Sequence, residues 1–219
     1  SSGTLTIGAS SGTATAFNAT TNNTIDGSNN AYWTPAANAN GTLNAFTITA
    51  QDNQGAESAP TVQAQVDVSA VNDDPAISSL PASVTVSEDV ASNVDLSAAS
   101  FSDPDAGANS VTLTLTAGAG TLTASSGGGV TAGGSGTGTL TLTGSAANID
   151  TYLSTASNIQ FTTASNGSGT PYTSVALTAN DGGNTGSGGG ANVSLGSFNV
   201  NATATNDVPV LSNLDATPA

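Results

Sequence analysis

Apolar and polar residues alternate along this chain in short bursts, and the clearest is Val62-Gln-Ala-Gln-Val-Asp-Val68. Val62, Ala64, Val66 and Val68 fall on one face and Gln63, Gln65 and Asp67 on the other, a period of two that predicts a half-buried strand. Further strand candidates lie at 83–86, 93–96, 111–116, 120–123, 139–143, 158–162, 174–178 and 193–203, separated by Gly, Ser, Asn and Pro. Many short strands broken by turn residues predict an all-β sandwich. The Gly-rich runs at 127–138 and 182–190 read as flexible loops. One stretch departs from the period of two. Ser145-Ala-Ala-Asn-Ile-Asp-Thr-Tyr-Leu153 sets Ile149, Tyr152 and Leu153 at helical spacing behind a Ser145 cap, which predicts a helical turn closing one end of the sandwich.

The pattern repeats over a domain-sized distance. Val71-Asn72-Asp73-Asp74-Pro75 returns 134 residues later as Thr205-Asn206-Asp207-Val208-Pro209. A proline cannot continue a strand ladder and forces its predecessor into an extended conformation, so an acidic, Pro-terminated segment marks a joint. Gly3-Thr-Leu-Thr6 is answered by Gly120-Thr-Leu-Thr123 at an offset of 117, and Gln51-Asp52 by Asn180-Asp181 at 129. Residues 1–71 therefore read as the second half of a repeat, 72–74 as an acidic linker and 75–208 as a complete repeat. Residues 209–219 restart Pro75-Ala-Ile-Ser-Ser-Leu80 as Pro209-Val-Leu-Ser-Asn-Leu214, the first strand of a following copy.

Composition narrows the chemistry. Aromatic residues make up only 4% of the 219 positions, so the core must be built from Val, Leu, Ile and Ala. The chain has no Cys, Met, His, Lys or Arg, and its formal charge is −15. No side chain can neutralise those carboxylates, which disfavours nucleic acid and anionic membrane surfaces as partners. Cations must come from solution, and all-oxygen ligands suit hard ions such as calcium. Asp103 and Asp105 flank Pro104 in a loop, and Asp73 adjoins Asp74, so both pairs gain from a shared cation; Asp181 completes the set. Asp67 and Asp95 sit at outward strand positions and read as solvated. Enzymatic catalysis usually draws on His, Cys or Lys, so none is expected here. No apolar run reaches the roughly 20 residues of a membrane helix.

The residues resemble a known group, the cadherin-like, immunoglobulin-like tandem repeats of very large bacterial surface and adhesin proteins. The resemblance rests on Val-Asn-Asp-Asp-Pro at the joint, Val86-Ser-Glu-Asp89, Phe101-Ser-Asp-Pro-Asp-Ala-Gly107, Gly138-Thr-Leu-Thr-Leu-Thr-Gly144 and Ala179-Asn-Asp-Gly-Gly-Asn-Thr-Gly186. Tyr32-Trp-Thr-Pro-Ala-Ala-Asn-Ala-Asn-Gly41 is similar to the same family's tyrosine-threonine-proline segment. It implies seven-stranded Greek-key sandwiches arranged end to end, with calcium at the joints. Carried over residue by residue, it implies ligands Asn72, Asp73 and Asp74 from the linker, Asp103 and Asp105 from the following loop, and Asp181. Glu88 would face the opposite joint at Asn206 and Asp207. It further implies a non-enzymatic structural or adhesive role in a secreted or cell-surface protein.

Two other readings stand beside it. The Thr-x-Thr stretches and a position on such a stalk allow a carbohydrate- or ice-binding module. For partners, the expectation is neighbouring repeats of the same chain. In one version, residues 209–219 of one copy complete residues 1–71 of the next, giving a head-to-tail homopolymer by strand addition.

Overall fold

The computed structural model describes residues 2–209. Apart from one short helix, the regular structure among the described residues is β-strand. The chain forms two compact units, one of residues 2–72 with 185–188 and one of 73–184 with 189–209.

The first unit contains β1 (Gly3–Gly8), β2 (Thr15–Ala16), β3 (Asn30–Pro35), β4 (Gly41–Ile48) and β5 (Val62–Val68). They form a three-stranded sheet in the order β2-β1-β3 and a β4-β5 pair, all antiparallel. β5 keeps the predicted alternation. Its apolar face is half-buried only in part: Ala64 and Val68 are partly buried, whereas Val62 is 64% exposed and Val66 38%. The physical reason is that among the described residues only Ile7 of this unit is a buried hydrophobic, so no core exists for β5 to cover.

The second unit begins with β6 (Ala76–Ser78), β7 (Ser83–Ser87), β8 (Ser92–Asn93), β9 (Ser100–Ser102), β10 (Val111–Ala117) and β11 (Thr121–Ala124). β12 (Thr131–Gly133), β13 (Thr139–Gly144), α1 (Ala146–Leu153), β14 (Ile159–Thr162), β15 (Gly169–Asn180) and β16 (Val193–Thr203) follow. A six-stranded sheet runs β12-β13-β10-β15-β16-β7, a three-stranded one β11-β14-β8, and β6 pairs with β9. The only parallel pair among these is β16 with β7. Alternation decides which side chains face in. Leu113, Leu115, Leu140, Leu142, Val175, Leu177, Phe198 and Val200 of the large sheet meet Leu122, Ile159 and Phe161 of the small one, and each is at most 2% exposed. The Thr residues between them face away from this sandwich-like core.

Local chemistry explains the punctuation. Ser145 caps α1 by accepting the backbone N–H of Asn148, and Ile149, Tyr152 and Leu153 are buried. The helix has eight residues rather than a single turn. Asp150 Oδ1 accepts the N–H of Phe101 at 2.8 Å and so ties α1 to β9. Part of the Gly-rich run expected to be loop is paired: β12 adds to the edge of β13. Close packing also fixes one glycine: a Cβ at Gly120 would overlap the Phe161 ring and the Thr162 carbonyl. Residues 210–219, expected to open a further repeat, lie outside the described residues.

Candidate metal centre

β9 ends at Ser102 and the chain turns through Asp103 and Asp105 before β10; β15 ends at Asn180 and delivers Asp181. Carboxylate oxygens of Asp103, Asp105 and Asp181 all come within 4.8 Å of one another. Each loop is shaped by its own acid. Asp103 Oδ1 accepts the N–H groups of Ala106 at 2.9 Å and Asp105 at 3.2 Å. Asp181 Oδ1 accepts those of Gly183 at 2.9 Å and Gly190 at 3.3 Å. These bonds use one oxygen of each carboxylate to hold the turn.

The second oxygen of Asp103 is different. Oδ2 is buried and has no hydrogen-bond partner. Burying a carboxylate oxygen without a partner costs free energy, and neighbouring like charges add to that cost. Desolvation, opposed by the two backbone N–H bonds and reinforced by the adjacent Asp105 carboxylate, raises the Asp103 pKa above its ordinary value. Two unit charges 4 Å apart repel by about 4 kcal/mol at an effective dielectric of 20. A divalent cation removes both terms at once, and the donor set is all oxygen, which suits calcium.

Of the other expected ligands on this side, Asp73 donates its backbone N–H to Asp105 Oδ2 at 3.0 Å. Asp74 is exposed. Asn72 belongs to the first unit, where its backbone N–H donates to the Ser187 carbonyl at 3.1 Å.

A second cluster joins Glu88, Asp89 and Asp207 within the same 4.8 Å limit. β7 and β16 run parallel and both end here, whereas the first cluster lies where β15 ends and β16 begins. The two clusters thus occupy opposite ends of the second unit, roughly 30 Å apart at about 3.4 Å per strand residue. Glu88 is 4% exposed; its Oε1 accepts the Thr205 N–H at 2.7 Å. The expected pairing of Glu88 with Asp207 is present. Asn206 is exposed and turns its amide to the Asp207 carbonyl oxygen at 3.2 Å.

Asp89 was not among the expected ligands. It holds a left-handed backbone, φ 62°, fixed by its N–H to Thr163 Oγ1 and by Asn166 N–H to its own Oδ1. Its sequence signal was adjacency to Glu88 in Val86-Ser-Glu-Asp89. Asp95 and Asp67, outside the clusters, behave as ordinary turn and surface groups. Asp95 Oδ1 binds the Ser97 hydroxyl and N–H, which lowers its pKa. Asp67 Oδ1 accepts the Thr42 hydroxyl across the β4-β5 pair.

The chain matches no known family model, no curated protein and no solved structure. Its functional reading therefore stands on the residues themselves.

Proposed function

We propose that this chain is a non-enzymatic structural segment of an extracellular adhesive protein, and that calcium bound at the ends of its second unit rigidifies it. One observation carries the reading: the buried, unbonded Oδ2 of Asp103 beside the Asp105 and Asp181 carboxylates, in a chain with no basic side chain to neutralise them. Asp103, Asp105 and Asp181 would hold one ion, and Glu88, Asp89 and Asp207 a second. Calcium takes 6–8 oxygens, so water and backbone carbonyls would complete each shell. When bound, the ion supplies positive charge that cancels carboxylate repulsion. The chain's own contribution is to hold the loops after β9 and β15 together and to fix Asp73 through Asp105.

The reading on secretion follows from this chemistry, since calcium is abundant outside cells and the oxygen-only donors suit it. No helix among the described residues is long and apolar enough to cross a membrane. Isothermal titration with calcium, together with melting in calcium and in chelator, tests the proposal. Saturable binding at two sites and a higher melting temperature with calcium support it. Melting curves that coincide in calcium and chelator would overturn it.

A further inference from the structure

A cavity of about 250 Å³ opens in the second unit where β11 ends and β14 begins. Its polar lining is Thr123, Ser125, Tyr152, Ser157, Asn158 and Gln160. Alternation explains part of that lining: Leu122, Ala124, Ile159 and Phe161 turn into the core, so Thr123 and its register partner Gln160 turn outward. Tyr152 reaches the same place from α1. Its hydroxyl lies 2.7 Å from the Ser125 carbonyl oxygen and 3.1 Å from that of Asn158, which ties together the two chain segments that form the rim.

The groups around this cavity are neutral, and several keep their bonding capacity unused. Asn158 donates its Nδ2 to the Tyr152 carbonyl at 2.9 Å, and Gln160 donates its Nε2 to Asn93 Oδ1 at 3.3 Å. Each amide is thus held through its nitrogen, and its oxygen remains an acceptor. The side-chain hydroxyls of Thr123, Ser125 and Ser157 make no hydrogen bond to any described residue. Two acceptors and three hydroxyls therefore border one space whose rim is already fixed, so a ligand would meet a largely pre-formed site.

We propose that this cavity binds one uncharged sugar ring, the terminal residue of a glycan. Charge and polarity narrow the ligand to that class. A cation calls for carboxylates, and the lining has none. An anionic sugar or a phosphate calls for a positive side chain, and the chain has none. An apolar ligand would displace water from these polar groups and give nothing back. An uncharged ligand rich in hydroxyls does the opposite: it donates to the Asn158 and Gln160 oxygens and exchanges hydrogen bonds with the three hydroxyls in place of water. The volume falls below the roughly 300–1,000 Å³ of sites for drug-sized ligands, which suits one ring rather than a chain of them.

No carboxylate of either acidic cluster lines the cavity, so this site stands or falls apart from calcium. The test titrates the full chain with the methyl pyranosides of glucose, galactose, mannose and N-acetylglucosamine, and follows backbone amide shifts by NMR in chelator and again in calcium. The expected result is saturable shifts centred on Ser125, Asn158 and Gln160 for at least one glycoside, with a Kd on the order of 1 mM. The Kd should be the same in both buffers. Thr123→Val and Gln160→Ala, made singly at outward strand positions, should each weaken that binding by about fivefold, the loss of one hydrogen bond. No saturable shift with any of the glycosides overturns the proposal, as do shifts centred elsewhere or binding that both variants leave unchanged. Binding seen only in calcium also overturns it, since the ion would then be the receptor. An equal response to glycerol does so too, because the cavity would then take any polyol as it takes water.

Discussion

Asp105 Oδ2 accepts the backbone N–H of Asp73 at 3.0 Å, so the carboxylate that contributes to the first acidic cluster also positions the first residue of the second unit. Loss of this acid therefore has two consequences, one for the ion and one for the chain. Asp105→Ala is expected to weaken calcium binding at the first cluster by at least tenfold, equivalent to about 1.4 kcal/mol. It should also speed exchange of the Asp73 amide, which exchange measured by NMR in saturating calcium would show.

Asp103 separates repulsion from ligation. Asp103→Asn keeps an acceptor at Oδ1 for the Ala106 and Asp105 N–H groups while removing one charge from the cluster. In chelator the variant should melt at or above the temperature of the parent chain. In calcium it should melt below it. A calorimetric comparison in both buffers checks the reversal; a variant less stable in both conditions would place the role of Asp103 in the turn alone.

The second cluster is testable on its own because it sits at the other end of the unit. Glu88→Gln preserves an oxygen for the Thr205 N–H and removes a buried charge. Calcium stoichiometry by titration should fall by one site while affinity at the first cluster is unchanged, as expected for groups far apart with no shared partners.

Core packing predicts a sharp contrast between equivalent positions. Val200 is 0% exposed in the second unit and Val66 is 38% exposed in the first. Val200→Ala should destabilise the second unit by about 2 kcal/mol through lost burial and a residual cavity. Val66→Ala should change stability by no more than about 0.5 kcal/mol. Denaturant unfolding of each variant measures both.

Tyr152 gives the alkaline limit. Its hydroxyl donates to the carbonyls of Ser125 at 2.7 Å and Asn158 at 3.1 Å, and burial raises its pKa above 10.0. The folded state thus holds this proton more tightly than the unfolded state does. The stability it represents is fully present below pH 10.0 and is lost as pH rises from there through the raised folded value. Melting between about pH 9 and pH 11 should show the decline, and Tyr152→Phe should remove that part of it.

Much of the second unit was legible in residue pattern. The strands at 193–203 and 139–144, and the Ser145-capped helix, follow from alternation, helical spacing and capping chemistry, all of which act within a few residues. The short strands β9 and β12 were not legible, because each has three residues and is specified by a distant partner rather than by its own period. Asp95 was expected within a strand at 93–96, but β8 stops at Asn93 and Asp95 binds Ser97 instead. A local side-chain bond there outcompetes the ladder.

The sequence by itself determined the all-β character, the internal repeat, the absence of any neutralising side chain and the acids available for a metal, because composition and period are local properties. Tertiary structure decided which acids meet. It brought Asp103 and Asp105 to Asp181 across more than 70 residues, joined Asp89 and Glu88 to Asp207, and put Asn72 in the first unit with its N–H on Ser187. It also left Val62 and Val66 of the alternating face of β5 exposed, since burial depends on what covers a face and not on the pattern of the face itself.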